Sequence, residues 1–164
     1  MLIYLDANIV QYCADYGDFL FGPDAPCPSR KLGFRRELLA LRELIFLEQF
    51  GNWEFAAPEH LLVELHRGRP TGEQRQTYAI LEESSNHEDL DKPLFDEVFT
   101  ELSGFSRRHR ADRIHLATAA AMHASWFVTN DKGIIRRTPG WVRSTRVVKP
   151  SQCVPEIGIG LFLS

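Results

Sequence analysis

The sequence predicts an α/β protein with a mostly parallel sheet of four to five strands and helices on both faces. Two apolar runs, residues 1–6 and 126–131, are typical of short buried strands, and each ends in an aspartate. Amphipathic helical segments separate these runs from one another and from two further strand-like runs. Because consecutive parallel strands are joined by helical crossovers, this alternation favours a sheet covered by helices on both sides.

Local residue types place the predicted elements along the chain. Residues 22–29 contain three prolines and a glycine, which predicts a loop. Gly51 suits the end of the preceding helix, and Pro150 closes the last strand. The polar stretch 84–89 carries only a weak strand signal, so a strand there stays open. The predicted strands are 1–5, 53–57, 126–128 and 145–149, and the predicted helices are 8–21, 34–50, 59–66, 73–83, 93–105, 111–124 and 132–137.

Composition narrows the class of protein. A chain of 164 residues with 44% hydrophobic residues suffices for a single domain with its own core. The three cysteines are scattered without CxxC spacing, which argues against a disulfide framework or a zinc site. A net charge of −3 is too small to identify a partner. No apolar run is long enough to span a membrane, so we expect a cytoplasmic protein.

Four acids stand at positions that suit a metal or phosphate site. Asp6 and Asp131 end the two apolar runs, and Glu64 and Asp112 lie on predicted helices between them. Ligands of open α/β sheets bind beyond the carboxyl ends of the strands. Carboxylates that converge there repel one another, so they need a cation or a raised pKa. Oxygen ligands with no cysteine nearby favour Mg²⁺ or Mn²⁺.

Four segments in this order resemble the PIN-domain nuclease family. They are Leu5-Asp6-Ala7-Asn8, the helical Glu64, residues 111–119 and residues 128–131. The resemblance implies a three-layer α/β/α sandwich, with residues 1–164 forming one nuclease domain. It also implies an Mg²⁺- or Mn²⁺-dependent endoribonuclease that cleaves RNA phosphodiester bonds. Many small members of the family are toxins of the VapC type, so an antitoxin protein is an implied partner. A homodimer stays open.

Six residues match the family's site positions. By the resemblance, Asp6, Asp112 and Asp131 hold the metal, while Glu64 positions the attacking water. Two polar residues support these acids. The matched residues are Asp6, Asn8, Glu64, Asp112, Thr129 and Asp131. The sequence departs from the family pattern at Gly133-Ile134, where an acidic-aromatic ending is usual.

Basic residues flank three of the four acids in sequence. Arginine and lysine contact phosphates, so a set of them beside an acidic cleft suits RNA binding. Arg136 and Arg137 follow the last acid and belong to the same basic neighbourhood, and Trp141 could stack on a base. The residues predicted to bind RNA are Arg67, Arg69, Arg107, Arg108, Arg110, Arg113 and Lys132.

Other interpretations of these residues stay open. Asp6 and Asp131 also suit helix N-caps, and His115, one turn after Asp112, suits a packed or hydrogen-bonded histidine better than a metal ligand. The alternative function is a catalytically silent PIN-like module that binds RNA or protein. A third class, phosphatases of the haloacid-dehalogenase type, requires a second acid two residues after the first. In this sequence that position is Asn8, which argues against this class.

Overall fold

The computed structural model describes residues 1–22, 24–49, 51, 53–56, 58–84, 90–106, 109–138 and 140–163. Over those residues the strands are β1 Leu2–Leu5, β2 Glu54–Ala56, β3 Trp126–Val128, β4 Trp141–Val142 and β5 Thr145–Val148. The helices are α1 Ala7–Asp15, α2 Gly17–Phe21, α3 Leu32–Glu48, α4 Glu59–Arg67, α5 Gly72–Ser84, α6 Lys92–Glu101, α7 Arg110–Ala121, α8 Lys132–Arg137 and α9 Pro150–Leu163. A single 3₁₀ turn, Leu102–Gly104, follows α6. None of the helices in the described ranges has the length and apolar character that crossing a membrane requires.

The five strands form one sheet in the order β2-β1-β3-β5-β4. All neighbouring strands are parallel except β4, which pairs antiparallel with β5 at the edge. The register sets Leu5 of β1 beside Val128 of β3, so the central strands end at the same level. The predicted α/β class and the mostly parallel sheet of four to five strands are confirmed.

Strand β1 lies at the centre of a three-layer sandwich. Its four residues are all buried and alternate between the two faces of the sheet. Ile3 and Leu5 pack into a core with helices α1 to α5 and α9, whereas Leu2 and Tyr4 pack into a second core with α6, α7 and α8. Burial on both faces explains why β1 is continuously apolar.

Two predicted elements differ from those observed. The predicted helix 8–21 breaks at Tyr16, whose φ and ψ are −126° and 27°, and α2 begins at Gly17. The break redirects the chain so that Phe19 and Leu20 enter the core. The possible strand in residues 84–89 lies outside the described residues except for Ser84. Ser84 is the last residue of α5.

The C-terminal region contains two elements that the sequence analysis misses. Strand β4 has only two residues, too few for a periodic pattern. Pro150 ends β5 as predicted, but it also begins helix α9, a first-turn position that suits proline. The buried carboxylate of Glu37 accepts hydrogen bonds from the backbone N–H and the hydroxyl of Ser151, at 3.0 and 2.9 Å. This contact joins α3 to the start of α9.

Candidate active site

The candidate site lies at the switch point of the sheet. From β1 the chain passes to β2 on one side and later to β3 on the other, which opens a crevice beyond the ends of β1 and β3. The backbone N–H of Asp6 donates to the carbonyl oxygen of Val128 at 3.0 Å, and that of Thr129 donates to Val148 at 2.9 Å. These bonds set Asp6 beside Thr129 at the crevice.

Asp6 is a buried carboxylate with hydrogen bonds on both oxygens. Oδ1 accepts from the backbone N–H of Ala7 at 2.8 Å, which makes Asp6 the N-cap of α1. Oδ2 accepts from the hydroxyl of Thr129 at 2.6 Å and from the side-chain amide of Asn8. Burial raises the pKa of Asp6, while the hydrogen bond from Thr129 acts in the opposite direction. The N-cap interpretation and the site interpretation therefore apply to the same side chain.

Asn8 and Thr129 bind to each other and to Asp6. The Asn8 amide lies 3.2 Å from the Thr129 hydroxyl oxygen, and its carbonyl oxygen accepts from the backbone N–H of Asn130 at 3.1 Å. The Thr129 oxygen also accepts from the backbone N–H of Asp131 at 3.0 Å. The two predicted supporting residues thus connect β1 and β3 across the crevice.

Asp131 is exposed and caps helix α8. Its Oδ1 accepts from the backbone N–H groups of Gly133 and Ile134, the latter at 3.1 Å. A Cβ on Gly133 would lie 2.8 Å from this oxygen and 3.0 Å from a guanidinium nitrogen of Arg137. A side chain at position 133 would therefore displace the Asp131 carboxylate or the Arg137 guanidinium from its present place.

Asp112, in the first turn of α7, forms a chain with His109 and Arg137. Its Oδ2 lies 3.1 Å from Nδ1 of His109 and 3.4 Å from a guanidinium nitrogen of Arg137. Arg137 also donates to Nε2 of His109 at 2.8 Å, and its guanidinium lies over the Phe105 ring. Burial and the charge of Asp131 raise the pKa of Asp112, against the effects of His109 and Arg137.

Glu64 faces a second histidine of α7. His115, which is 3% exposed, lies with Nε2 at 2.8 Å from Oε2 of Glu64 and with Nδ1 at 2.7 Å from the hydroxyl of Tyr4. Nε2 of His60 lies 3.2 Å from the same hydroxyl. The hydrogen bond from His115 lowers the pKa of Glu64. His115 is thus a buried, hydrogen-bonded residue, as the sequence analysis expects.

A cavity of about 490 Å³ opens in front of Glu64. Glu64, His60 and His115 form one part of its wall, and Arg67 and Arg110 form another. The cavity therefore combines a carboxylate with two cationic side chains, a set that suits a phosphate group beside a bound water.

Comparison with known proteins bears on the fold. No family model and no curated protein matches the chain. Among solved structures, the chain is similar to one in the crystal structure of VapBC2 from Rickettsia felis bound to a DNA fragment from their promoter, with a TM-score of 0.54 and 19% identity. The match covers 91% of this chain and 98% of that chain. The fold is PIN-like. At this level of identity the likeness concerns the fold alone.

The predicted acids of the PIN-like fold share an electrostatic environment. The charge of Asp112 raises the pKa of Asp6, and that of Asp131 raises the pKa of Asp112. Among the described residues, no three His, Cys, Asp or Glu side chains form a group that could hold a metal ion. The assignment of Asp6, Asp112 and Asp131 as metal ligands therefore stays a prediction. Carboxylate oxygens are nevertheless the ligands that suit a hard cation.

The predicted RNA-binding residues fall into three groups. Arg67, Arg69, Arg110 and Lys132 are exposed. Arg113 is used within the protein, because its guanidinium lies 4.0 Å from the centroid of the Phe99 ring and donates to the Phe99 carbonyl oxygen. Its RNA-binding assignment stays a prediction. Arg107 and Arg108 lie outside the described residues.

The sequence analysis assigns no specific role to four residues at this site, which are Tyr4, His60, His109 and Arg137. His109 precedes Asp112 by one helical turn, a spacing that could have indicated the pair. Arg137 is identified only as part of a basic neighbourhood, and Tyr4 only as a strand residue. Trp141, which could stack on a base, is 52% exposed.

Proposed function

We propose that this chain is a divalent-metal-dependent endoribonuclease and the toxin of a toxin–antitoxin pair. The observation that supports the proposal is a buried aspartate, Asp6, at the switch point of a PIN-like sheet, with the charge of a second acid, Asp112, acting on it. Burial raises the pKa values of Asp6 and Asp112, and in each case the charge of another aspartate acts in the same direction. A protein that kept these charges for stability alone would gain nothing from their repulsion.

Asp6, Asp112 and Asp131 are the residues that would hold the metal. When bound, Mg²⁺ or Mn²⁺ supplies a polarised water and neutralises charge on the scissile phosphate. Thr129 and Asn8 hold the Asp6 carboxylate in one orientation through hydrogen bonds. The hydrogen bonds that Asp112 makes with described residues, His109 and Arg137, fall on Oδ2. The chain's own contribution to the site is therefore a set of oriented oxygen atoms.

Glu64 is the residue that would orient the attacking water. Its lowered pKa keeps the carboxylate ionised at neutral pH, so that it accepts a hydrogen bond from water. Arg67 and Arg110 line the same cavity and are available to bind the phosphates of an RNA chain. Arg69 and Lys132 are exposed and would extend that phosphate contact.

A partner protein belongs to the proposal because the similar chain comes from a VapBC2 complex. An arginine of an antitoxin would match the carboxylates, since a guanidinium binds two carboxylate oxygens with a planar fork. The protein's own Arg137 contacts one oxygen of Asp112, Oδ2, at 3.4 Å. That contact also favours the second candidate function, a catalytically silent module that binds RNA or protein, because an internal cation relieves the acidic repulsion.

Cleavage of single-stranded RNA with and without metal separates the two functions. We expect cleavage with Mg²⁺ or Mn²⁺, loss of cleavage in excess EDTA, and recovery when metal is added back. Asp96→Asn is the matched control, because Asp96 is an exposed aspartate of helix α6. Undiminished cleavage in excess EDTA would refute metal dependence. Binding of RNA without cleavage under every metal condition would favour the silent module.

A further inference from the structure

A chain of hydrogen bonds joins His60 to Glu64 through the core of the protein. It begins at His60 on α4, passes through the hydroxyl of Tyr4 and the ring of His115, and ends at Oε2 of Glu64. Tyr4 is fully buried, and its ring stacks on Phe127 with centroids 5.2 Å apart. The chain therefore passes through a buried strand residue, and both of its ends lie at the wall of the cavity.

With a neutral His115 ring, the donors and acceptors in this chain fit one direction. An ionised carboxylate only accepts, so Nε2 of His115 must carry a proton that it donates to Glu64. In a neutral ring Nδ1 is then bare and accepts from the hydroxyl of Tyr4. The Tyr4 hydroxyl has one proton, so the Nε2–H of His60 must donate to the tyrosine oxygen. Every group in the chain is satisfied in this arrangement.

The surroundings keep the chain in that state. Tyr4 is fully buried, and a phenol keeps its proton at neutral pH. Burial lowers the pKa of His60 to about 4, so its ring carries one proton at neutral pH. Without the Tyr4 hydroxyl, only the half-exposed carboxylate of Glu64 would favour the Nε2–H tautomer of His115, so we expect the Nδ1–H tautomer to be populated as well.

We propose that Tyr4 and His115 are positioning residues for Glu64. The Tyr4 hydroxyl selects the tautomer of His115 that donates to Glu64, and this bond fixes the carboxylate at the cavity. Neither Tyr4 nor His115 belongs to the acidic set matched from the sequence. The inference rests on the proposed function in one respect, which is that Glu64 orients the attacking water.

The test combines kinetics with a measurement that does not need activity. Tyr4→Phe removes only the hydroxyl and keeps the ring stacked on Phe127. Tyr78→Phe is the matched control, because Tyr78 is equally buried and its hydroxyl donates to Gln11, away from the cavity, at 2.8 Å. We expect Tyr4→Phe to lower kcat about tenfold with KM nearly unchanged, and Tyr78→Phe to leave both near wild type.

Two substitutions at His115 separate its two nitrogens. The amide of a glutamine reaches the place of Nε2, and that of an asparagine reaches only the place of Nδ1. We expect His115→Gln to keep most of kcat and His115→Asn to lose as much as Tyr4→Phe. Equal losses in the glutamine and asparagine variants would overturn the positioning role of His115.

The tautomer of His115 is measured by nitrogen NMR on the metal-free protein. We expect a single Nε2–H tautomer in wild type and a mixture of tautomers in Tyr4→Phe. A mixture in wild type, or kinetics of Tyr4→Phe that equal those of Tyr78→Phe, would refute the inference while wild-type cleavage stands. A wild type that keeps the single tautomer but cleaves no RNA would refute the nuclease function and leave the hydrogen-bond chain supported.

Discussion

Two acids of the site each bind a histidine at or near the start of α7 or within it. Their pKa values shift in opposite directions. Glu64 accepts from His115, whose other nitrogen accepts from the buried Tyr4. Asp112 accepts from His109, whose other nitrogen accepts from Arg137. The pKa of Glu64 is lowered and that of Asp112 is raised.

The surroundings of each pair explain this difference. The side chain of Glu64 is 47% exposed, so its desolvation is modest and the hydrogen bond from His115 dominates its pKa. The side chain of Asp112 is 23% exposed and lies near Asp131, so burial and like charge outweigh its histidine and arginine. A hydrogen bond to a histidine therefore does not by itself decide whether the pKa of a carboxylate rises or falls. Burial and neighbouring charges decide the direction of the shift.

The largest expected effect concerns Asp112, the acid whose pKa is raised. We expect Asp112→Asn to lower RNA cleavage by about a hundredfold or more, because it removes a charge proposed to hold the metal. An asparagine fits this position, since its oxygen can accept the hydrogen bonds that Oδ2 accepts now. Asp6 has hydrogen bonds on both carboxylate oxygens, so Asp6→Asn would lose a bond as well as a charge.

A single-turnover cleavage assay measures this effect. Asp96→Asn serves again as the control, and far-ultraviolet circular dichroism verifies the fold of both variants. Cleavage by Asp112→Asn within threefold of wild type would assign Asp112 to the first turn of α7 as a structural residue only.

A smaller effect is expected at Arg137, the cation of the Asp112 pair. The guanidinium of Arg137 lies beside the Asp112 carboxylate that would hold the metal. The guanidinium and the metal ion would therefore compete for this carboxylate. We expect Arg137→Gln to tighten Mn²⁺ binding about fivefold, roughly the value of one screened charge contact. Titration calorimetry without RNA measures this change.

Arg143→Gln provides the matched control for that titration. Arg143 also pairs with carboxylates, but these are Glu97 and Glu101 of helix α6. Unchanged Mn²⁺ affinity in Arg137→Gln would mean that Arg137 does not compete with the metal. Weaker affinity would mean that Arg137 orients Asp112 for the metal instead.

The sequence predicts most of the fold and the position of the acids. Burial of β1 and β3 on both faces leaves continuous apolar runs, and the polar residues that end them lie at the switch point by topology alone. Strand β4 and the start of α9 depend on tertiary contacts, such as the hydrogen bonds from Ser151 to Glu37. No local pattern encodes such contacts.

The same limit explains which site residues the sequence analysis misses. Tyr4 has the spacing of a core strand residue. Its hydroxyl binds His115, which lies 111 residues later in the sequence, so only the folded structure shows this contact. Arg137 has the appearance of a surface arginine until α8 brings it to Asp112. Contacts between charged residues that lie far apart in sequence depend on the packed fold. The position of an acid at the end of a strand follows from the local sequence.

The difference in pKa predicts opposite pH dependences of stability in the metal-free protein. A carboxyl whose folded pKa is raised costs stability as pH rises from its ordinary value of 3.8 through the folded pKa. We therefore expect Asp112→Asn to increase the free energy of unfolding at pH 7 by about 1 kcal/mol relative to pH 3.5. Urea denaturation in EDTA at both pH values measures this difference. An unchanged or lower relative stability at pH 7 would contradict the raised pKa.

The smallest expected effect has the opposite sign and belongs to Glu64. A carboxyl whose folded pKa is lowered adds stability above its ordinary value of 4.5, and that stability is lost as pH falls through the folded pKa. We expect Glu64→Gln to reduce the free energy of unfolding at pH 7 relative to pH 3.5 by about 0.5 kcal/mol or less, because solvent screens the half-exposed pair. The double variant with His115→Asn should show no further pH-dependent loss, since the bond that lowers the pKa is already gone. A loss at pH 7 that is the same in Glu64→Gln and in the matched surface variant Glu73→Gln would mean that the His115 bond does not set the pKa of Glu64.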